Sequence, residues 1–223
     1  AVRPGGDQDH HVVEAYDTPD GHFEIHYTTS GKNAVPSADA DASGVPDHVE
    51  DVGAVYEQVL TTYAGMGYRT PVDDGDGKFD VYLLDTSLSS DGAFEAESCD
   101  GVVCSGFMVE ENDFVGFGYP SLDYADRLLA SHEFFHAVQA AYDDQEGSSI
   151  AEGTAVWASE QFDGSLDDLE IFSQSFLDDT TRGLTDYGFG PAYTVNYGTS
   201  LFWQYVSDND GVDVVKDVWD ACA

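Results

Sequence analysis

Basic residues are scarce in this chain of 223 residues. Lys and Arg number 7 and Asp and Glu number 44, so the formal net charge at pH 7 is −37. A charge of this sign repels nucleic-acid phosphates and anionic lipid headgroups, which argues against nucleic acids and acidic membranes as partners. Hydrophobic residues still make up 42% of the chain and aromatic residues 13%. This is enough to build a core, so the composition predicts a folded protein and not a disordered tail.

The acidic residues are scattered among apolar ones instead of being collected in one segment. This spacing predicts a folded core beneath an acidic surface. In 1 M salt the Debye length is only about 3 Å, so the self-repulsion of such a surface is screened. We therefore expect a protein adapted to high salt, the alternative being an acidic protein whose charge is balanced by bound cations.

Long apolar runs and cysteines are also few. No run approaches 18 apolar residues, so we expect no membrane insertion. Residues 1–6 lack the apolar core of a signal peptide, which fits a mature or trimmed N-terminus. Cys99 and Cys104 bracket a short loop and either form a disulfide or remain thiols, while Cys222 is left over. We expect a secreted, extracellular monomer.

The pattern of apolar residues divides the chain into two parts. Residues 23–27 alternate and follow a turn at residues 18–21, which predicts a hairpin with the segment around Val12 and Val13. Further predicted elements are a helix at 46–64, a buried strand at 79–84, a short strand at 106–109 and helices at about 122–142, 150–162, 166–178, 197–207 and 211–221. Strands followed by helices predict an α+β fold. We expect one domain, 1–223, in which a small mixed β-sheet with one helix (1–121) precedes a mostly helical half (122–223).

The most informative segment is residues 132–136, which read His-Glu-Phe-Phe-His and match the HExxH pattern. On a helix, positions i and i+4 share a face, so His132 and His136 can reach one cation with Glu133 beside them. The neighbouring residues make this helix apolar nearly all round, and polar groups buried there would be costly without partners. The segment therefore predicts a zinc site, the alternative being two core histidines with satisfied hydrogen bonds.

A catalytic zinc ion needs a third protein ligand and an open position for water. No histidine follows His136, and Gln139 and Tyr142 stand where the metzincin pattern requires Gly and His. The third ligand is therefore a carboxylate or one of the distant N-terminal histidines. Among carboxylates, the sequence favours Glu152 at the start of the next helix over Glu160, two turns further on.

Residues 150–155, Ile-Ala-Glu-Gly-Thr-Ala, resemble the E-G-x-A segment that supplies the third zinc ligand in gluzincin metallopeptidases. The chain also resembles a family of secreted microbial zinc metallopeptidases over most of its length. The segments that carry this likeness are His26–Thr29, Asp39–Glu50, Asp74–Asp85, His132–Gln139 and Tyr197–Tyr205. The resemblance implies a gluzincin-like fold whose HExxH active-site helix lies in the helical half.

The resemblance also implies a division of roles. His132, His136 and Glu152 would hold Zn²⁺, and Glu133 would act as general base. Tyr197 would be the oxyanion donor, with Tyr193 as the alternative. The implied substrate is a peptide or protein in extended conformation along a sheet edge, at residues 106–109 or 113–118.

A second candidate metal site lies in residues 39–50, which fit the calcium-loop pattern D-x-D-x-S-G-x₅-E. The candidate Ca²⁺ ligands are Asp39, Asp41, Ser43, Asp47 and Glu50. A strand and not a helix precedes this loop, so it would be a structural calcium loop without an EF-hand. A weaker second site is predicted from Asp73, Asp74, Asp76 and Asp80, and solvated acidic turns are the alternative for both.

These observations favour a secreted, salt-adapted zinc metalloendopeptidase. One alternative is a calcium-stabilised surface or adhesion module that carries a relic HExxH helix. Another is a zinc hydrolase that does not act on peptides.

Overall fold

A five-stranded mixed sheet and the helices packed on it form an α+β fold. The structure, a computed structural model, describes residues 4, 13–178, 180–185 and 193–223. The strands are β1 (Glu14–Asp17), β2 (Phe23–Tyr27), β3 (Phe79–Leu84), β4 (Gly92–Asp100) and β5 (Val103–Glu111). The helices are α1 (Asp47–Gly65), α2 (Leu122–Ala140), α3 (Ser148–Phe162), α4 (Asp168–Leu177), α5 (Thr194–Gly198), α6 (Ser200–Asp210) and α7 (Asp213–Cys222).

The strands lie in the order β1-β2-β3-β5-β4. The three central strands run parallel, whereas β1 and β4 pair antiparallel at the two edges. Alternate residues of β2, Phe23, Ile25 and Tyr27, are buried on the face that α1 and α2 cover. This period of two predicts the strand, because successive side chains point to opposite faces of a sheet.

One hydrophobic core extends through both halves of the chain. Tyr56 of α1 packs its ring against Phe134 of α2 with centroids 5.9 Å apart, and Phe134 in turn contacts Phe23 of β2. The same cluster continues to Trp157 of α3 and Trp219 of α7. The HExxH helix α2 is therefore held between the sheet and the helical half, with little freedom to shift.

Most predicted elements are close to the observed ones. The helix predicted at 46–64 is α1, the strand at 79–84 is β3, and the five later helices correspond to α2, α3, α4, α5 with α6, and α7. The hairpin is present, but its first strand begins at Glu14, so Val13 precedes it and Val12 lies outside the described residues. The helix predicted at 197–207 is in fact two helices, separated at Thr199.

The prediction of a single short strand, at 106–109, between the strand at 79–84 and the helix at 122–142 is wrong in one important respect. Instead of one short strand, this region forms the hairpin of β4 and β5, each nine residues long. Residues 106–109 lie within β5, which is an interior strand, so the sheet edge on this side belongs to β4. Residues 113–118 form a turn and not a strand. The prediction failed because Gly, Ser and acidic residues interrupt the apolar pattern in this region. The two strands are extended because they pair with each other.

The hairpin is closed near its tip by a disulfide between Cys99 and Cys104, which decides the alternative that the sequence left open. These two residues are directly opposite in the antiparallel register, and Gly101 takes the turn with a φ of 68°. Cys222 has a free thiol. Along the described ranges, the structure has no helix with the length and apolar character needed to cross a membrane.

Candidate metal centre

The two histidines of the HExxH segment lie on one face of α2. Ser121 caps this helix, its side chain accepting a hydrogen bond from the backbone N–H of Tyr124 at 3.1 Å. Eleven and fifteen residues after the cap, His132 and His136 place their Nε2 atoms 3.3 Å apart. The i, i+4 spacing thus brings two imidazole nitrogens to one point, as the sequence predicts.

Helix α3 brings Glu152 to the same point. Its Oε2 atom lies 3.2 Å from His132 Nε2 and 3.4 Å from His136 Nε2. The segment at Thr199, between α5 and α6, packs directly against α3 because Gly153 has no side chain. A Cβ at Gly153 would overlap the buried Thr199. The residue that the sequence favours as third ligand is therefore adjacent to both histidines.

The other candidates for the third ligand lie elsewhere. Glu160 is two turns further along α3, beside Gly164, and its pKa is raised by burial and by acidic neighbours outside the centre. His22, His26 and His48 each pair with a different carboxylate, at 2.7, 2.6 and 3.5 Å respectively. His10 and His11 lie outside the described residues.

The geometry of the three donor atoms fits a zinc ion. Two imidazole nitrogens and one carboxylate oxygen form a triangle with edges of 3.2, 3.3 and 3.4 Å. A tetrahedral zinc ion with bonds of about 2.0–2.1 Å requires ligand atoms about 3.3–3.4 Å apart, and His₂Glu is a known catalytic ligand set. The donor chemistry and the spacing therefore both suit zinc.

The electrostatics of the centre also favour a cation. Burial alone would raise the pKa of Glu152, but hydrogen bonds from both histidines hold it well below its usual range. Burial would lower the pKa of His136, but the hydrogen bond to Glu152 and the charge of Glu133 raise it to about 9. The pKa of His132 is raised by the same two partners, again against the effect of burial. Positive charge is thus stabilised between these groups, and a divalent cation would replace the protons.

Glu133 is beside the triangle and not part of it. Its Oε2 accepts a hydrogen bond from the backbone N–H of Phe94 in the edge strand β4, at 3.2 Å. A carboxylate oxygen of Glu133 and a ring nitrogen of each histidine lie within 4.8 Å of one another. Burial raises the pKa of Glu133 above its ordinary value, against the opposing charges of His132 and His136. It is therefore a carboxylate with increased affinity for a proton, placed next to the candidate metal position.

Gln139 is a functional candidate that the sequence reasoning missed. Its Nε2 lies 2.8 Å from the carbonyl oxygen of Ala151 and 3.0 Å from Thr154 Oγ1, so the NH₂ end of the amide must face α3. Its Oε1 then lies 2.8 Å from His136 Nδ1. Because an amide oxygen only accepts, Nδ1 carries the hydrogen, and Nε2 is the nitrogen left for a metal. A glutamine three residues after the second histidine, on the same helix face, is the signal that could have indicated this role.

Both candidate tyrosines lie at the centre, with different contacts. The hydroxyl of Tyr193 donates a hydrogen bond to Glu152 Oε1 at 2.8 Å. The ring of Tyr197 stacks on His132 with centroids 5.7 Å apart and on Phe172 with centroids 4.7 Å apart. Burial, and then the charge of Glu152, raises the pKa of the Tyr197 hydroxyl far above its ordinary value, so it remains a proton donor.

A cavity of about 420 Å³ opens beside these groups. Glu133, His136, Glu152 and Tyr197 line it on one side. Residues 92–94 of β4 line it on the other side. The sheet edge next to the centre is thus β4, and neither of the segments that the sequence suggested as the peptide-binding edge takes this place.

The predicted calcium loop is partly assembled. Carboxylate oxygens of Asp39, Asp41 and Asp47 lie within 4.8 Å of one another, and Glu50 is not in this group. The backbone N–H of Ser43 donates to Asp39 and Asp41, at 3.0 and 2.9 Å. The four acidic residues proposed for a second, weaker calcium site do not gather within the described part of the chain, because Asp80 pairs with His26.

No protein-family model matches the chain, and no curated protein matches it. The assignment of the centre therefore depends on its own geometry. Two observations define it: the triangle of donor atoms and the carboxylate of Glu133 beside that triangle.

Proposed function

We propose that this protein is a zinc-dependent metallopeptidase with His132, His136 and Glu152 as the zinc ligands. The observation that carries the proposal is the triangle of two Nε2 atoms and one Oε2 atom with edges of 3.2–3.4 Å. A zinc ion bound there would lower the pKa of a water molecule to about 7 and polarise the carbonyl of a bound peptide.

Glu133 is the proposed general base. Its carboxylate lies next to the ligand triangle, and burial raises its pKa above the ordinary value, which favours uptake of a proton. In the proposed reaction Glu133 takes a proton from the attacking water and later delivers it to the leaving amine. The backbone N–H of Phe94 holds the carboxylate in place while it is ionised.

Tyr197 is the proposed oxyanion donor. Its high pKa keeps the hydroxyl protonated, and its ring is fixed between His132 and Phe172. Tyr193 already donates to Glu152, which suits a residue that orients a ligand. A Tyr197→Phe variant is expected to lose about 100-fold in kcat with little change in zinc affinity. Tyr193→Phe is the matched comparison and should instead weaken zinc binding.

Strand β4 is the proposed binding edge for an extended peptide. The carbonyl oxygen of Asp91 accepts from the N–H of Glu111, and the N–H of Phe94 points to Glu133, away from β5. Backbone groups of successive residues in an antiparallel strand face opposite sides, so Gly92 and Phe94 direct theirs outward. A peptide added there would place its backbone beside Glu133.

A secreted, salt-adapted monomer is the proposed context of this activity. The Cys99–Cys104 disulfide supports an oxidising environment, and the net charge of −37 supports a concentrated salt solution. We also propose that the loop around Asp39, Asp41 and Asp47 binds a structural Ca²⁺ ion, which would stabilise the start of α1.

The decisive experiment combines metal analysis with casein cleavage. The parent protein should contain about one zinc ion per chain and cleave casein, and Glu133→Gln should lower the rate at least 100-fold while zinc remains bound. Glu152→Gln should lower zinc content, with Glu160→Gln on the same helix as matched control. A protein that binds no zinc, or a Glu133→Gln variant as active as the parent, would contradict the proposal. Zinc without proteolysis would favour a different hydrolase or a calcium-stabilised module with a relic site.

A further inference from the structure

A second, smaller cavity of about 180 Å³ is lined by His132 but not by Glu152 or His136. It shares Glu133 and Tyr197 with the larger cavity and reaches from there toward α4. A group bound in it would therefore adjoin the position at which the proposed reaction cleaves a peptide bond. A pocket in this place selects substrate side chains in a peptidase.

Part of the wall of the small cavity is apolar. Leu128 and Leu129 of α2 are nearly buried and form one wall. Phe172 of α4 and Tyr197, whose rings stack with centroids 4.7 Å apart, form another. Such walls suit the aliphatic part of a long side chain.

Two carboxylates, of Asp91 and Asp168, complete the lining. Asp91 Oδ2 accepts a hydrogen bond from the hydroxyl of Tyr119. Burial raises the pKa of Asp168, the charge of His132 opposes this, and the charge of Asp91 raises the pKa further. No Lys or Arg side chain is among the described residues that line this cavity, where the basic side chain is His132.

His132 adds a second sign that the cavity requires a polar occupant. This side chain is 94% buried, lines the cavity, and places its Nε2 in the triangle of donor atoms with His136 and Glu152. Its Nδ1 is buried and has no hydrogen-bond partner among the described residues. Buried polar atoms in native proteins are nearly always satisfied, so a cavity lined by His132 and by the carboxylates of Glu133, Asp91 and Asp168 is not an apolar packing defect.

We propose that this cavity is a specificity pocket for a lysine or arginine side chain of the substrate. The aliphatic stem lies against Leu128, Leu129 and Phe172, and the cationic group lies between Asp91 and Asp168. The inference depends on the proposed peptidase function, because it assigns a substrate class to that same site. A contact ion pair inside a cavity is screened by salt much less than an exposed pair, so the preference persists at the high ionic strength that this protein is expected to need.

Quenched fluorescent peptides with one variable residue test the proposal. Lysine, arginine, norleucine and glutamate are placed in turn at each of the three positions on either side of the cleaved bond in an alanine background. Norleucine has the stem of lysine without its charge, so the ratio of kcat/KM for lysine to that for norleucine measures recognition of the cation. We expect a ratio of at least 10 at one position adjacent to the cleaved bond.

The variant Asp168→Asn should lower this ratio to less than 3. Asp167→Asn is the matched control, because Asp167 is the exposed neighbour of Asp168 and does not line the cavity. If Asp168→Asn fails to fold, as judged by circular dichroism, Asp91→Asn replaces it. If the protein cleaves peptides without preferring lysine or arginine at any position, the proposed specificity pocket is wrong and the proposed peptidase function stands. The same conclusion follows if Asp168→Asn keeps the full ratio.

Failure of the peptidase itself is distinguished by binding. Fluorescence anisotropy of the same peptides with the intact, zinc-supplemented Glu133→Gln variant requires no catalysis. We expect the lysine peptide to bind at least 10-fold more tightly than the norleucine peptide, and Asp168→Asn in the same background to remove the difference. Equal binding of the two peptides overturns the pocket even if no peptide is cleaved.

Discussion

His136 Nδ1 lies 2.8 Å from the side-chain oxygen of Gln139, one turn further along α2. The other end of that amide binds the carbonyl oxygen of Ala151, the residue before Glu152. One side chain therefore sets the tautomer of one proposed zinc ligand and connects the helix that carries it to the helix that carries another. Removing a side chain that holds a metal ligand by a hydrogen bond typically lowers the affinity of the site for its metal by 10- to 100-fold.

Replacing Gln139 by Leu should weaken zinc binding by about 10- to 100-fold, because His136 loses the acceptor that holds Nδ1–H. The measurement is a competition titration with a zinc chelator. Two-bond ¹H–¹⁵N NMR spectra of the zinc-supplemented protein would report the tautomer, with Nδ1–H expected in the parent. Gln58→Leu on α1 is a suitable control, because Gln58 is exposed and outside the centre. Unchanged zinc affinity in Gln139→Leu would rule out this positioning role.

The metal-free protein should lose stability as the pH rises from about 6.5 to 9. In the folded chain Glu152 and Glu133 raise the pKa of His136 to about 9, although burial opposes this, and an unfolded histidine titrates near 6.5. A histidine whose pKa is higher in the folded chain stabilises the fold while it is protonated. This stabilisation is complete below the pKa of the unfolded chain, and it is lost as the pH rises past the pKa of the folded chain. The difference corresponds to about 3 kcal/mol in the free energy of unfolding.

Chemical denaturation of EDTA-treated protein at several pH values measures this effect. In Glu152→Gln the slope should flatten, because the main group that raises the pKa of His136 is gone. With zinc present the sign should reverse, since zinc binds unprotonated imidazoles and its affinity increases with pH. A metal-free protein equally stable at pH 6.5 and pH 9 would show that the histidines are not held by Glu152 in this way.

Replacing Gly153 by Ala should destabilise the protein by about 1–3 kcal/mol. A Cβ at this position would overlap Thr199 Oγ1, which is buried and donates to the carbonyl oxygen of Ser149. Because Gly153 follows Glu152, the forced shift should also weaken zinc binding. Gly65→Ala is the matched control: this helical glycine has open space around it, and Ala favours a helix, so no loss is expected. Denaturant titration measures the free energy of unfolding of both variants and of the parent. If Gly153→Ala is as stable as the parent, α3 does not need the close contact between Gly153 and Thr199.

The thermal midpoint should be lower in dilute buffer than in 2 M NaCl, by roughly 10 °C, which corresponds to about 3–5 kcal/mol in a chain of this length. The physical reason is the self-repulsion of a net charge of −37, which concentrated salt screens. Differential scanning calorimetry in both solutions measures the midpoint, with sucrose in place of salt as a control for solvent exclusion. A midpoint that is no lower in dilute buffer would exclude adaptation to high salt.

Local signals explain which predictions succeeded. The helix α1 and the strand β3 have clear apolar periodicity, and the turn at residues 18–21 marks the hairpin of β1 and β2. Strand β4 has no such signal, because Gly92, Glu95 and Ser98 interrupt the pattern, and it is held extended only by its pairing with β5. The sequence therefore predicts a sheet edge in the wrong segment.

The sequence alone determined the acidic surface and the placement of His132 and His136 on one helix face, since composition and the i, i+4 spacing are local properties. It favoured Glu152 without excluding Glu160, because no local rule says where a second helix crosses the first. Only the tertiary structure decided that Glu152 meets both histidines, that Gln139 joins the two helices, and that β4 is the open edge. These relations join residues far apart in the chain, and the packing of the common core fixes them.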